Sequence, residues 1–469
     1  MGAKNMMLNE IPSKEIEFHP LSFADGNGRV FWWKGELYRG IGPERQDLYK
    51  KLLEPGIVQN LITKGLLVKT EVSPFSTNGY PLVLKHQVVP FVSYVHEWPS
   101  LMLKDAALAL MDIEIELARE GFTLQDAHPW NMLFDGSKPI FVDFGSIIPV
   151  RPNTQWPAAN EFYRFFVYPL RLMRDGHSRV ARLLVQDYEQ GVSQFECDAL
   201  AHNSFRRLAK EVVRECVPAG IRPGLKSLLK SVGYLRSSSP SQGSGTRDQY
   251  LKKIRRDVEN INIDFQKSNW SHYYEEGSFP SFSPSSEWTA KHQTVYNILS
   301  TIRPNSVLDI GSNRGWYSRL AASLGMNVVA CDTDETAINR LYCDVRSENA
   351  PILPLLMDIR EPSPANQIAT SAVDRLQCDL VLALALLHHL VFKHFLRFDK
   401  IVAKLASFTK RTLVLEFIPK EDQFVSKWWS PKYDWYTLEN LMTELRQYFR
   451  NVSVYPSDPK PRIVLVCEK

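Results

Sequence analysis

Apolar residues fall along this chain in two rhythms. Between residues 306 and 417 they gather into short unbroken runs: SVLDI at 306–310, NVVAC at 327–331, ILPLL at 352–356, CDLVLALALL at 378–387 and TLVLEF at 412–417. Runs of this length, rich in Val, Leu and Ile, read as strands buried on both faces of a parallel sheet. Between them the apolar positions recur at helical spacing, as in WYSRLAASL after Gly315 and KHQTVYNILSTI before the first run. Strands alternating with helices predict an open α/β sheet over residues 286–469, with its site at the strand ends.

The first part of the chain is more mixed. RVFWWKG and ELYRGI, meeting at Gly35, read as a hairpin. RQDLYKKLLEPGIVQNLITKG reads as a helix broken near Pro55-Gly56, and PLVLKHQVVPFVSYV as a strand. LMLKDAALALMDIEIELAREG, residues 101–121, reads as a helix closed by Gly121. Further helices are expected near 161–190 and 194–217. SSSPSQGSGT at 237–246 marks a boundary, because Ser, Pro and Gly at this density bury too little surface to repay ordering. The expected layout is a mixed lobe over 1–100, a helical lobe over 101–236, a connector over 237–285 and a second domain over 286–469.

Composition narrows the picture only slightly. A chain of 469 residues, 44% hydrophobic and 23% charged, has the makeup of an ordinary globular protein of two or three domains. A formal charge of +4 neither requires nor rules out nucleic acid. The six cysteines, Cys197, Cys216, Cys331, Cys343, Cys378 and Cys467, form no CxxC pair, so a reducing cytoplasm is the expected location. No apolar leader opens the sequence, and no transmembrane run is expected. Oligomeric state cannot be read from the sequence.

The candidate chemistry lies in two places. In the second domain, Asp309, Gly311, Asn313 and Gly315 follow the first strand and open a helix, the arrangement of a tight turn beside a polar ligand. Asp332 ends the second strand, where an acid accepts hydrogen bonds from ribose hydroxyls. Asp358 follows the third strand and His388 and His389 the fourth, while Glu416 sits in the fifth. A histidine there suits a general base, with Glu416 orienting it or binding an acceptor hydroxyl. WWSPKYDWY at 428–436 suits either stacking on a substrate or core packing. In the first domain, Asp126, Asn131 and Asp143 are the group suited to magnesium and phosphate oxygens.

VLDIGSNRG, VVACD, LMDI and LALALLHHL together resemble the successive motifs of class I S-adenosylmethionine (SAM)-dependent methyltransferases. The resemblance implies a seven-stranded Rossmann-like fold with SAM as methyl donor. Asp309, Gly311, Asn313 and Gly315 would line its methionine side, Asp332 its ribose and Asp358 its adenine. Asn313 stands where that family often has glycine. Residues 122–146 resemble the catalytic loop of aminoglycoside phosphotransferases and other kinase-like domains. That likeness implies Asp126 as base, Asn131 and Asp143 as metal ligands, and ATP with magnesium as cofactor. Leu124-Gln125 depart from the family pattern, and none of Lys34, Lys69 and Lys85 matches its phosphate-pairing lysine clearly. DGNGRVF at 25–31 is a short candidate for the nucleotide-covering loop.

The whole chain is similar to a bacterial two-domain family that includes a nodulation methyltransferase, which implies a saccharide or small-molecule acceptor. Oxygen is the favoured acceptor atom, since paired histidines suit a hydroxyl that must lose its proton. Other readings are an RNA methyltransferase, a bifunctional kinase–methyltransferase and a non-catalytic SAM-binding protein.

Overall fold

A computed structural model describes residues 9–19, 22, 28–54, 56–151, 154–200, 246–264, 280–366 and 369–469. The Ser/Pro/Gly stretch 237–245, residues 201–217 of the last expected helix and residues 25–27 of the DGNGRVF loop lie outside the described residues.

The chain begins with seven short strands: β1 (Asn9–Ile11), β2 (Glu17–Phe18), β3 (Arg29–Trp33), β4 (Glu36–Ile41), β5 (Thr70–Val72), β6 (Phe75–Thr77) and β7 (Leu82–His86). Five of them make one antiparallel sheet in the order β2-β3-β4-β7-β5. The β3–β4 hairpin turns at Lys34 and Gly35, both with positive φ (51° and 78°), as a two-residue turn matching strand twist requires. Helices Gln46–Leu53 and Ile57–Thr63 connect β4 to β5 and break at Gly56, where φ is 141°. The strand expected over 81–95 is shorter than its apolar pattern. β7 ends at His86, and irregular chain follows to Glu97 apart from one 3-10 turn. Pro90 has no N–H to give a ladder.

Helix Ser100–Arg119 is the spine of this half, with most of its apolar positions buried. Behind it come two small antiparallel pairs, β8 (Phe122–Leu124) with β11 (Ile147–Pro149) and β9 (Met132–Asp135) with β10 (Lys138–Phe141). The region expected to be a helical lobe thus also carries four short strands. Buried within the spine, Glu114 accepts from Thr123 Oγ1 (2.9 Å), Leu124 N (2.8 Å) and Arg247 Nη2 (2.9 Å). Burial still pushes its carboxyl up to about 7. Arg247 opens helix Arg247–Glu259, which sequence composition assigns to the connector. Its Leu251, Ile254 and Val258 are fully buried in the first half's core.

The second half is one seven-stranded sheet. Its members are β12 (Ser306–Ile310), β13 (Asn327–Asp332), β14 (Ile352–Leu356), β15 (Cys378–Ala383), β16 (Thr409–Phe417), β17 (Asn451–Pro456) and β18 (Ile463–Glu468). The order is β14-β13-β12-β15-β16-β18-β17. The first five run parallel; β18 is antiparallel to β16, and β17, antiparallel to β18, runs in the direction of the first five again. All five apolar runs read from the sequence are strands here. The connections diverge from β12, leftward to β13 and rightward to β15, and such a reversal leaves a crevice beyond the carboxyl ends of the strands. Helix Glu335–Glu348 packs on the spine of the first half. Tyr342 Oη donates to Asp105 (2.7 Å), Arg346 pairs with the same carboxylate, and Asn339 Nδ2 donates to Ser100 Oγ (3.0 Å). One hydrophobic core runs through both halves.

Candidate active site

The turn after β12 is built from backbone demands. Gly311, Asn313 and Gly315 all take positive φ (75°, 50° and 72°), and asparagine tolerates that region better than other side chains. A Cβ on Gly315 would lie 2.7 Å from Leu341 Cδ1, so glycine is required there for packing as well as for conformation. Gly311 N and Ser312 N donate to Cys331 O (2.8 and 3.0 Å), which draws the turn over the end of β13. Asp332 completes the junction, accepting from Asn313 N (2.9 Å) and Asp334 N (3.0 Å). Burial raises its pKa against the pull of those amides. Ser312 Oγ and Asn313 Oδ1 are buried without a hydrogen-bond partner among the described residues. A turn with two unmatched polar atoms beside an acid fits the polar end of a bound molecule. The donor set therefore fits SAM.

Asp309 lies beneath the turn. It is buried and accepts from Ser318 Oγ at 2.6 Å, and burial lifts its carboxyl to about 6. Asp358 stands at the far side, after β14, with Arg360 Nε within 3.0 Å of both of its oxygens. Burial works to raise its pKa, but the Arg360 bonds outweigh it and hold it low. Arg360 in turn meets His394 Nδ1 at 2.7 Å.

On the other side of the turn, Leu386 lies where a Cβ on Gly311 would meet its Cδ1 at 3.4 Å. Ala385 there has φ of 50°, a strained angle for alanine, and its N–H donates to Glu416 Oε2 at 2.8 Å. Glu416 is wholly buried in β16 and also accepts from Lys291 Nζ (2.6 Å) and Ser457 Oγ (2.6 Å). It fastens three elements together and bonds neither histidine. Helix Leu387–Phe392 then carries His388 and His389, whose ring centroids are 4.1 Å apart. The His388 ring lies nearly parallel to Trp428 (15°), and its Nδ1 is buried without a hydrogen-bond partner among the described residues. Burial, then His389 and Arg462, push the His388 pKa down to about 2. Burial followed by Lys393 and His394 takes His389 to about 4. Both rings are neutral at ordinary pH.

Part of the aromatic run packs in the core. Tyr433 and Tyr436 are core, and Tyr436 Oη donates to Ile418 O (2.9 Å). Trp428 instead covers the histidines. Beside them Asp422 accepts from Arg462 Nε at 2.8 Å, a pair that sequence reading missed because its partners are 40 residues apart.

In the first half the structure brings Asp126, Asn131 and Asp143 together. Asn131 Nδ2 donates to Asp126 Oδ1 at 2.6 Å, and Ser146 Oγ reaches the same atom at 3.2 Å. Burial, then Asp143 and Glu161, lift the Asp126 pKa to about 7. Asp143 accepts from Gly145 N (3.1 Å) and from Arg39 Nη2 (3.4 Å). Arg39 comes from β4, and nothing in ELYRGI marks it out. His128 is a structural cap: Nδ1 accepts from Trp130 N (3.3 Å) and Nε2 meets Tyr188 O (3.1 Å). Among the described residues no cluster of three acidic, His or Cys side chains is arranged around a metal position.

Comparison with known proteins bears on both halves. A family model described as tellurite resistance protein TehB matches residues 278–387. Nodulation protein NoeA of Rhizobium meliloti (strain 1021) is 25% identical over 417 residues, 87% of this chain and 86% of NoeA. The O-antigen chain terminator bifunctional methyltransferase/kinase WbdD of Escherichia coli is 30% identical over 123 residues, which are 26% of this chain and only 16% of WbdD. Among solved structures, magnesium protoporphyrin IX methyltransferase (ChlM) from Synechocystis PCC 6803 with bound SAM is 17% identical. That match covers 38% of this chain and 78% of ChlM, with a TM-score of 0.28.

Proposed function

We propose that this chain, whose C-terminal half is a SAM-dependent methyltransferase domain, methylates a hydroxyl of a small molecule or glycan. In this reading the seven-stranded sheet is a Rossmann-like methyltransferase fold. The observation that carries the acceptor assignment is the buried, neutral His388 imidazole with its open Nδ1, two residues from the Leu386 that touches the cofactor turn.

SAM, when bound, supplies an electrophilic methyl group. The protein's part is to hold and orient. Gly311, Asn313 and Gly315 would let the backbone approach it, the Asp332 carboxylate would hold its ribose, and Asp358 would meet its adenine. Asp309 acts from below, keeping the helix Trp316–Ser323 seated through Ser318. His388 is a weak base because its pocket is dry. A hydroxyl becomes strongly acidic as its oxygen gains a bond, so a weak, permanently neutral base suffices to take its proton. His389 packs against it. Glu416 holds the pocket wall rather than the base. Trp428 gives a flat apolar face beside charged groups, the mixture that suits a sugar ring. The sequence expectation of a cytoplasmic location fits this donor. Among the described residues, no helix is long and apolar enough to cross a membrane.

The test is calorimetric titration with SAM on the wild type and Asp332→Ala, followed by turnover assays on hydroxylated saccharides. Loss of donor binding in Asp332→Ala supports the reading. A wild type that binds no SAM sinks it.

A second reading concerns the first half. We infer a kinase-like module from the convergence of Asp126, Asn131, Asp143 and Arg39 between a five-stranded sheet and a helical layer. Such a group suits ATP phosphates and magnesium, making the chain bifunctional. ATP binding that needs magnesium and is lost in Asp143→Ala would support it. Unchanged binding in Asp143→Ala would overturn it.

A further inference from the structure

The chain between β14 and β15 carries Asp358 near its start and Arg375 near its end, in the short helix Ala372–Leu376, and its anchorage lies in the other half of the molecule. Arg375 Nη2 donates to Glu97 Oε1 (2.6 Å), and its Nη1 donates to Glu97 Oε2 (3.1 Å) and to Val92 O (2.5 Å). The guanidinium lies 4.2 Å from the centre of the Tyr94 ring. These side chains are only 3% and 2% exposed for Arg375 and Glu97. Ser363, earlier in the same loop, donates to Glu97 Oε1 (3.2 Å) and meets His96 Nε2 at 2.9 Å. Thr370 N donates to Tyr94 Oη at 3.2 Å. The loop also closes on itself, with Ala372 N donating to Ser363 O at 2.8 Å. Glu97 is held from its own side by Tyr94 N (2.9 Å).

A two-pronged, fully buried Arg–carboxylate pair contributes little net stability, because desolvation offsets much of the attraction. It fixes one geometry closely. Here it fixes the far end of the connection that carries Asp358 near its start, and Ser363, between the two, is tied to the same carboxylate. Arg360 keeps the Asp358 carboxyl ionised, so it can only accept hydrogen bonds. An acceptor held in one place distinguishes an adenine, whose exocyclic amine donates, from a hypoxanthine, whose carbonyl in the same position repels it.

We propose that Glu97, Arg375 and Tyr94 are positioning residues that set the loop carrying Asp358, so that the N-terminal half fixes the base selectivity of the cofactor site. This rests on the reading of the C-terminal domain as a SAM site with Asp358 at the adenine edge. The pieces come from sequence positions about 280 residues apart, which is why no motif shows them.

The full-length chain is titrated with S-adenosylhomocysteine and with its deaminated analogue S-inosylhomocysteine, in the wild type, Glu97→Gln, Arg375→Met, Arg375→Lys and Tyr94→Phe. The wild type is expected to favour the adenosyl compound by about 30-fold or more. In Glu97→Gln and Arg375→Met that ratio falls by about 10-fold, through weaker adenosyl binding. Arg375→Lys is intermediate, and kcat at saturating donor changes by less than about 2-fold. Tyr94→Phe removes one hydroxyl and leaves the ring, so it stays folded even where the ion-pair variants do not. It lowers the ratio by about 3-fold. An unchanged ratio in Tyr94→Phe and in every variant that folds overturns the proposal. Equal binding of the two compounds by the wild type also overturns it, since the loop would then not read the base. Binding of neither compound by the wild type is a different failure: it removes the donor site and the inference with it.

Discussion

The two acidic sites of this chain use the same side chains and are held in opposite ways. Asp332 is gripped by main-chain amides, those of Asn313 and Asp334, on a turn whose shape follows from three positive φ angles. The Asp126 carboxylate is gripped by side chains, those of Asn131 and Ser146, and Asp143 by one amide, that of Gly145, together with the Arg39 side chain. A site made by the backbone is present whenever the fold is present. A site made by side chains depends on charge balance, and at neutral pH the balance around Asp126 is unfavourable. The C-terminal turn is therefore shaped by its backbone, while burial and then the neighbouring Asp143 and Glu161 raise the Asp126 pKa.

Breaking the backbone should have the largest effect. Gly315→Val places a Cβ against Leu341 at an angle valine avoids, and should cost about 3 kcal/mol in urea unfolding. A cost below about 1 kcal/mol would mean the turn is not fixed as described. Next comes Asp332→Ala, which leaves the turn's amides but removes the carboxylate proposed to meet the ribose. SAM affinity should fall about 100-fold by calorimetry, the loss of two hydrogen bonds to a charged group. His388→Gln tests the group proposed as the base. It should lower kcat about 10-fold with donor affinity unchanged. Because the His388 pKa is so low, the wild-type rate should show no loss assignable to this ring between pH 5 and 8. A matching fall in donor affinity would make His388 a wall residue.

The smallest effect sharpens the other side of the comparison. Asp126 titrates near 7 when folded and near 3.8 when unfolded, so the folded state binds the extra proton between those values. Its contribution to stability therefore falls as pH rises from about 4 to 7 and is flat beyond. Asp126→Asn should stabilise the protein by about 1–2 kcal/mol at pH 8 and by almost nothing at pH 4. Equal stabilisation at both would mean the aspartate is not under charge strain. Magnesium that stabilises the wild type but not this variant would give the cluster a ligand.

Much of this was legible in the sequence where the signal was local. The five apolar runs, the turn glycines, the hairpin at Gly35 and the spine helix each follow from the periodicity of a few residues. The spacing of Asp126, Asn131 and Asp143 was legible too. What was not legible depended on tertiary contact. PLVLKHQVVPFVSYV looks extended to its end, yet the chain beyond His86 is diverted to clasp Arg375 through Glu97. Glu416 looked like a partner for a histidine, but Lys291, 125 residues earlier, reaches it first. Arg39 became visible only when β4 was placed beside Asp143. The charged stretch RDQYLKKIRRDVE reads as partly helical and is a helix here, but its packing on the spine was not legible, since its one apolar stripe is three residues wide.

That stripe decides where the molecule can be severed. A cut at the obvious change in composition, before residue 246, would strip the spine helix of its cover. Leu251, Ile254 and Val258 would go to solvent with the other fragment, and Glu114 would stay behind, buried and without its arginine. Anyone wishing to express the halves apart must leave helix Arg247–Glu259 with the first and cut beyond Ile263.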